Sequence, residues 1–281
     1  MRVSVVGGSP VISAGSGVPS RWLKLLLVLG PVITALVLWQ IAASAAMSPF
    51  FPAPLRIVVR MWELWFSGPF TALFTTEAFW ADVVPSLGRA LLGWLLACVL
   101  GILIGTAAGQ WRSAQAAIDP PVHWLRSLPA PAIVPIFLVV FGATDAMRLA
   151  FIVFGCVWPV LLNTMQGVRA IDPVYRETVR AFHISRLRAF FRVTLPAAAA
   201  ETVAGMRVSL SLALILMVLS EWLLANAGLG FFLLDSQRQF KILDMWAAMV
   251  LLGVLGYLLN LLLAAAERRL LRWHRATTQR G

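Results

Sequence analysis

Apolar residues along this chain gather into runs of about 20, the length a helix needs to cross roughly 30 Å of hydrocarbon. Between the runs lie shorter segments where Arg, Pro, Asp and Glu concentrate. Six spans are predicted, at about 22–46, 86–109, 122–142, 147–167, 203–224 and 245–266. The third has its apolar heart at 130–141 and is interrupted by Pro129, Pro131 and Pro135, with Arg126 ahead of it. The expected fold is all-α, a polytopic transmembrane helical bundle over 21–269. Residues 1–20 have no periodicity and read as a mobile tail, and 270–281 form a short C-terminal tail. The stretch 52–85 carries prolines with Arg56, Arg60, Glu63, Glu77 and Asp82 and is too polar to cross; it reads as a connection holding one amphipathic helix near 55–66. Small residues at 42–46 resemble a signal-peptide cleavage site. The first run, however, exceeds the apolar core of about 7 to 15 residues found in such peptides, so it reads as a retained span.

Composition agrees with lipid as the main solvent. Of 281 residues 60% are hydrophobic and 12% charged, against about 25% charged in soluble domains. The formal charge of +11 would suit a nucleic-acid binder only if it were concentrated on a solvated face. Here the basic residues fall between spans, and nucleic acid is not an expected partner. Alternating the spans from an inside N-terminus leaves only Arg56, Arg60, Arg89, Arg148, Arg238 and Lys241 outside or near the outer ends. That asymmetry predicts both termini in the cytoplasm. Cys98 and Cys156 lie within apolar runs, where free thiols behave as small hydrophobes, and no cluster has metal-ligand spacing. Gly101, Gly105 and Gly109 recur every fourth residue, which lets a second helix approach closely, either within one subunit or between two.

The most informative segment is 171–196, IDPVYRETVRAFHISRLRAFFRVTLP. Arg176, Arg180, Arg186, Arg188 and Arg192 would each cost about 2.5 to 3.5 kcal/mol at a membrane centre, so it cannot cross. Asp172 and Pro173 form an N-cap and first-turn pair, Ser185 can cap a second short helix, and Pro196 imposes a break. The pattern is helix, turn, helix. Val174, Phe182, Ile184, Leu187, Phe190 and Phe191 add apolar surface among the arginines. That surface fits either a knob for a partner protein or an interfacial helix held by anionic headgroups, and periodicity does not separate the two.

The segment resembles the cytoplasmic loop of binding-protein-dependent ABC importer permeases, whose pattern is Glu-Ala-Ala, three residues, Gly, then Leu-Pro further on. Glu177 matches the acidic position and Leu195-Pro196 the closing pair. Thr178 and Val179 replace the alanines, and His183 stands at the glycine position. VWPVLLNTMQGVRAIDP before the loop and AGMRVSLSLALILMVLSEWLLANAGLGFFL after it are similar to the same family, as are FFPAPLRIV and SLGRALLGWLLACVLGILIG nearer the N-terminus. The resemblance covers roughly 49–269 and leans towards the subgroup serving nitrate, taurine and alkylsulfonates.

It implies a type I importer permease in a bacterial inner membrane, with Glu177, Arg180, Ala181, His183, Leu195 and Pro196 in a coupling helix seated on an ATPase. The implied partners are two ATP-binding-cassette ATPases carrying ATP and Mg, a second permease copy, an external substrate-binding protein and the bilayer. No cofactor is expected on the chain itself. Neither Lys24 nor Lys241 follows a glycine, so no phosphate-binding Gly-Lys loop exists. His123, His183 and His274 are scattered and fit no hydrolase signature. A membrane enzyme would need paired acidic or nucleophilic groups within the bilayer, and a secondary transporter or channel often shows an internal repeat, which is not found here. The candidate path or gate residues are Asn163, Ser220 and Glu221, with Thr164, Ser209 and Ser211 as further polar positions. Glu221, the one acid well inside the fifth run, reads as a gate or as an interfacial or paired carboxylate.

Overall fold

The computed structural model describes residues 21–224 and 226–270. The predicted tails 1–20 and 271–281 lie outside them, as do the side chains of Arg176, Arg180 and Arg186. All regular structure among the described residues is helical.

The chain divides into two units, 1–55 and 56–281. In the first, α1 (Arg21–Ala46) passes through Pro31 without breaking. After it the chain folds back so that the Leu55 amide donates to Gln40 Oε1 at 3.1 Å and Trp39 stacks on Phe51.

The second unit contains α2 (Pro54–Trp65), α3 (Val84–Gln110), α4 (Arg112–Ser127), α5 (Ala130–Phe141), α6 (Asp145–Arg169), α7 (Pro173–Ala181), α8 (Arg186–Ala189), the single turn α9 (Leu195–Ala197), α10 (Ala199–Leu224), α11 (Leu229–Arg238) and α12 (Ile242–Leu270). Among the described residues five helices are long and apolar enough to cross a membrane by themselves. The third predicted span differs: it is α4 and α5, bent by 104° at the break around Pro129. The physical reason is the proline, which cannot donate to the helical ladder and holds the preceding residue extended; Leu128 has φ −71° and ψ 127°.

Helices α3, α6 and α10 form the core. Gly93 meets Ile152, Gly101 meets Val160 and Gly109 meets Val168, so α3 and α6 run in the same direction. The chain must therefore return between them, and α4 with α5 makes that return. Gly205 against Pro159 and Gly167 against Ala198 make α10 antiparallel to α6. The glycine spacing thus serves packing within one chain. At Gly105 a Cβ would stand 2.5 Å from the carbonyl oxygen of Leu161, a backbone atom that cannot yield. Polar bonds add register: Ser209 Oγ donates to the Cys156 carbonyl at 2.8 Å, and Trp94 Nε1 to the Met206 carbonyl at 3.0 Å.

Away from the core, α2 is held to the start of α12 by Arg60, whose Nε lies 2.6 Å from Asp244 Oδ1. That hydrogen bond raises the guanidinium further above its ordinary pKa, with Glu63 assisting. Arg207 and Glu267 pair α10 with α12 near the other end.

Candidate functional site

Two polar regions sit at opposite ends of the three-helix core. The first is the loop between α6 and α10. Asp172 Oδ1 accepts from the Val174 amide at 2.9 Å and starts α7, which ends in a turn closed by the Ile184 amide donating to the Val179 carbonyl at 3.1 Å. His183 occupies that turn with φ +49°, a left-handed conformation that favours glycine. The position where the resembled family has glycine thus has a backbone shape that favours glycine, although histidine occupies it here. Histidine is among the side chains that tolerate this region better than most.

From Ser185 the chain forms α8, widens over Phe190–Thr194 and enters α9. Val174, Phe182 and Leu187 point outward, and Phe182 is 76% exposed. Glu177, Ala181 and His183 are also exposed, whereas Leu195 and Pro196 are half-buried where α9 meets α6. The loop thus presents apolar surface outward while its closing pair is anchored to the core. Arg180, predicted beside Glu177, has its side chain outside the described residues.

The second region lies where α3 begins and α10 ends. Glu221 is fully buried. Its Oε1 accepts from Arg89 Nη1 at 2.8 Å, its Oε2 from the Gly230 amide at 2.9 Å, and Ser86 Oγ lies 2.8 Å from both oxygens. Ser86 Oγ in turn accepts from the Leu229 amide at 2.8 Å. Gly228 has φ +118°, and a Cβ there would meet Glu221 Oε2 at 2.6 Å, so glycine is required twice over. Arg89 Nε continues to Asp145 Oδ1 at 2.9 Å, which also accepts from Arg148 Nη1 at 2.6 Å. The result is a knot tying α3, α6, α10 and the start of α11.

The three path candidates do not converge. Asn163 Nδ2 donates to the Pro159 carbonyl and Ser220 Oγ to the Met217 carbonyl, each within its own helix at 2.8 Å. Within the chain Glu221 is the paired carboxylate rather than an acid facing open space. Thr164 and Ser209 are buried between helices, and Ser211 lies on the uncovered face of α10. Sequence reading missed Ser86, Arg89 and the Gly230 amide as partners of Glu221, and Asp145 with Arg148 behind Arg89. The available signal was charge near the ends of apolar runs, where Arg89, Arg148 and Glu221 each call for a partner. Among the described residues no group of His, Cys, Asp and Glu could hold a metal.

A parallel-then-antiparallel core of apolar helices, with a polar knot at one end and an exposed helix-turn-helix loop at the other, is the architecture of a polytopic membrane protein. Residues 97–275 match the family described as binding-protein-dependent transport system inner membrane component, and the chain belongs to that family. It is 30% identical to SsuC of Bacillus subtilis (strain 168), provisionally named for aliphatic sulfonates transport, over 90% of this chain and 88% of that one. It is 31% identical to the bicarbonate transport permease CmpB of Synechococcus elongatus, covering 88% and 90%. With the taurine transport permease TauC of Escherichia coli (strain K12) the identity is 28%, covering 84% and 85%.

Solved structures share the fold. The MetNI methionine ABC transporter in an inward-facing form aligns with a TM-score of 0.54 and 19% identity over 69% of this chain and 94% of that one. A bacterial alginate ABC transporter, in complex with an alginate-bound periplasmic protein, gives 0.55 and 12% over 89% and 95%. The chain is the permease subunit of an ABC importer and a multi-pass membrane protein.

Proposed function

We propose that two copies of this chain form the path of an importer for a small oxyanion or organosulfonate, with both termini in the cytoplasm. Two separate ATPases supply hydrolysis of ATP with Mg, and an external binding protein delivers the solute. The loop carries this reading: Val174, Phe182 and Leu187 form an uncovered apolar surface on a segment whose arginines forbid insertion, and its ends continue into α6 and α10. A short connection of this kind can pass motion of a docked ATPase to the two core helices.

Pairing of two copies is supported by α10, where Val208, Ile215 and Trp222 recur every seventh residue on one uncovered face. Seven-residue spacing is that of a helix–helix seam. The substrate class rests on the names of the relatives, which span sulfonates, taurine and bicarbonate. Glu221 does not oppose an anionic solute, because Arg89 and two hydrogen-bond donors hold its charge.

Reconstitution tests the reading. Permease with its ATPase and loaded binding protein should move labelled solute only when ATP is present, and permease alone should move none. Flux through the permease alone would mark a channel or secondary carrier. An impermeant thiol reagent should reach a cysteine placed at Phe191 only from the cytoplasmic side, and native mass spectrometry should find two permease copies per complex.

A further inference from the structure

Between the C-terminal ends of α3 and α6 and the loop lies a cavity of about 260 Å³. Val168, Phe190 and Val193 make an apolar wall, and Gln110, Tyr175 and Thr194 a polar rim. Tyr175 and Val179 line this space from α7. At just under the roughly 300 to 1,000 Å³ of drug-sized pockets, it suits part of an elongated molecule rather than a whole compact one.

Among the described residues no charged side chain lines the cavity, yet four exposed arginines are chain neighbours of lining residues. Arg112 follows Trp111, Arg169, which also reaches the Ala108 carbonyl at 3.5 Å, follows Val168, Arg188 precedes Ala189 and Arg192 precedes Val193. The acids nearest in sequence are Asp172, already committed to the α7 amide, and Glu177. Trp111 and Tyr175, both in the lining and both more than half exposed, are the aromatic types that sit at headgroup level.

We propose that the cavity holds an anionic phospholipid of the inner leaflet, with acyl chain against the apolar wall and phosphate among the arginines. The proposal rests on the cytoplasmic placement of the loop. A free inorganic anion would gain nothing from Val168, Phe190 and Val193, whereas a phospholipid uses both wall and rim. Each arginine near an anionic lipid surface favours binding on the order of fivefold. A lipid seated there braces the loop against α3 and α6 and makes coupling depend on anionic lipid.

The test places Ala189→Cys, at the cavity lining, in the ATPase-bound complex in nanodiscs. Cys98 and Cys156 are buried and stay silent to a polar maleimide. Labelling should be at least about fivefold slower in phosphatidylglycerol than in phosphatidylcholine. Adding Arg188→Gln and Arg192→Gln should shrink that difference severalfold, and native mass spectrometry should find phosphatidylglycerol retained on the wild-type complex. Equal labelling in the two lipids, or a difference left unchanged by loss of both arginines, overturns the proposal. Equal protection by soluble glycerol phosphate in phosphatidylcholine nanodiscs overturns a lipid as the source of the phosphate. Labelling of Ala189→Cys by an impermeant reagent from the external face would instead overturn the cytoplasmic placement itself.

Discussion

The two ends of the core are built on opposite principles. Around Glu221 every partner comes from the chain itself: a hydroxyl, a guanidinium and a backbone amide surround one carboxylate from which water is excluded. Around His183 the chain leaves its own surface unfinished, with Phe182 and Leu187 more than two-thirds exposed. Buried ions must be matched locally, because removing one partner strands the other in a poor solvent. An exposed apolar loop can instead remain until a partner protein covers it. The difference teaches where the chain is self-sufficient and where it depends on a second protein, and substitutions at the two ends should fail in different ways.

The largest effect is expected at the knot. Glu221→Ala leaves Arg89 without its buried partner and should destabilise the permease by about 3 to 5 kcal/mol, the range for breaking a buried ion pair. A thermal aggregation assay in detergent should show a much lower midpoint and a reduced yield of complex. Gly105→Ala should follow, since its methyl group would press on the Leu161 carbonyl; overpacking of this kind costs about 1 to 3 kcal/mol. The same assay checks it, and retention of wild-type stability would deny the close approach of α3 to α6.

At the loop the effects on stability should be smaller. His183→Val puts a β-branched side chain at φ +49° and should destabilise the turn by about 1 to 2 kcal/mol, seen as faster proteolysis between α7 and α8. His183→Gly relieves the backbone but raises the entropy of the unfolded chain, so a net change of only a few tenths of a kcal/mol is expected. Proteolysis of that variant should match wild type. Slower transport with unchanged proteolysis would assign the imidazole a contact with the ATPase.

Much of the fold was legible because lipid imposes long apolar runs. The helices from Val84, Asp145, Ala199 and Ile242 start within a few residues of the apolar limits read from sequence. The third crossing was harder, since Pro129 decides between a straight helix and a 104° bend and hydropathy does not encode the angle. At the loop, Asp172 and the short helices follow from local capping chemistry, which acts between near neighbours in the chain. The Glu221 knot was not legible as a whole. Ser86 lies 135 residues from Glu221 and Arg89 132, and only tertiary packing brings them together. The left-handed turn at His183 was not legible either: the sequence shows only a histidine at the position where the resembled family has glycine.

The central claim is that the loop at 171–196 transmits ATPase motion to α6 and α10, and Glu177 tests it with least disturbance to the fold. Glu177 is exposed on α7, and a local ion pair there would contribute only a few tenths of a kcal/mol. Glu177→Lys should therefore insert and assemble as wild type does. The deciding measurement is solute moved per ATP hydrolysed by the reconstituted complex, with ATPase binding followed on the same preparation. A fall in binding or in that ratio, with stability unchanged, is the predicted result, and wild-type values for both would contradict the coupling role assigned to Glu177.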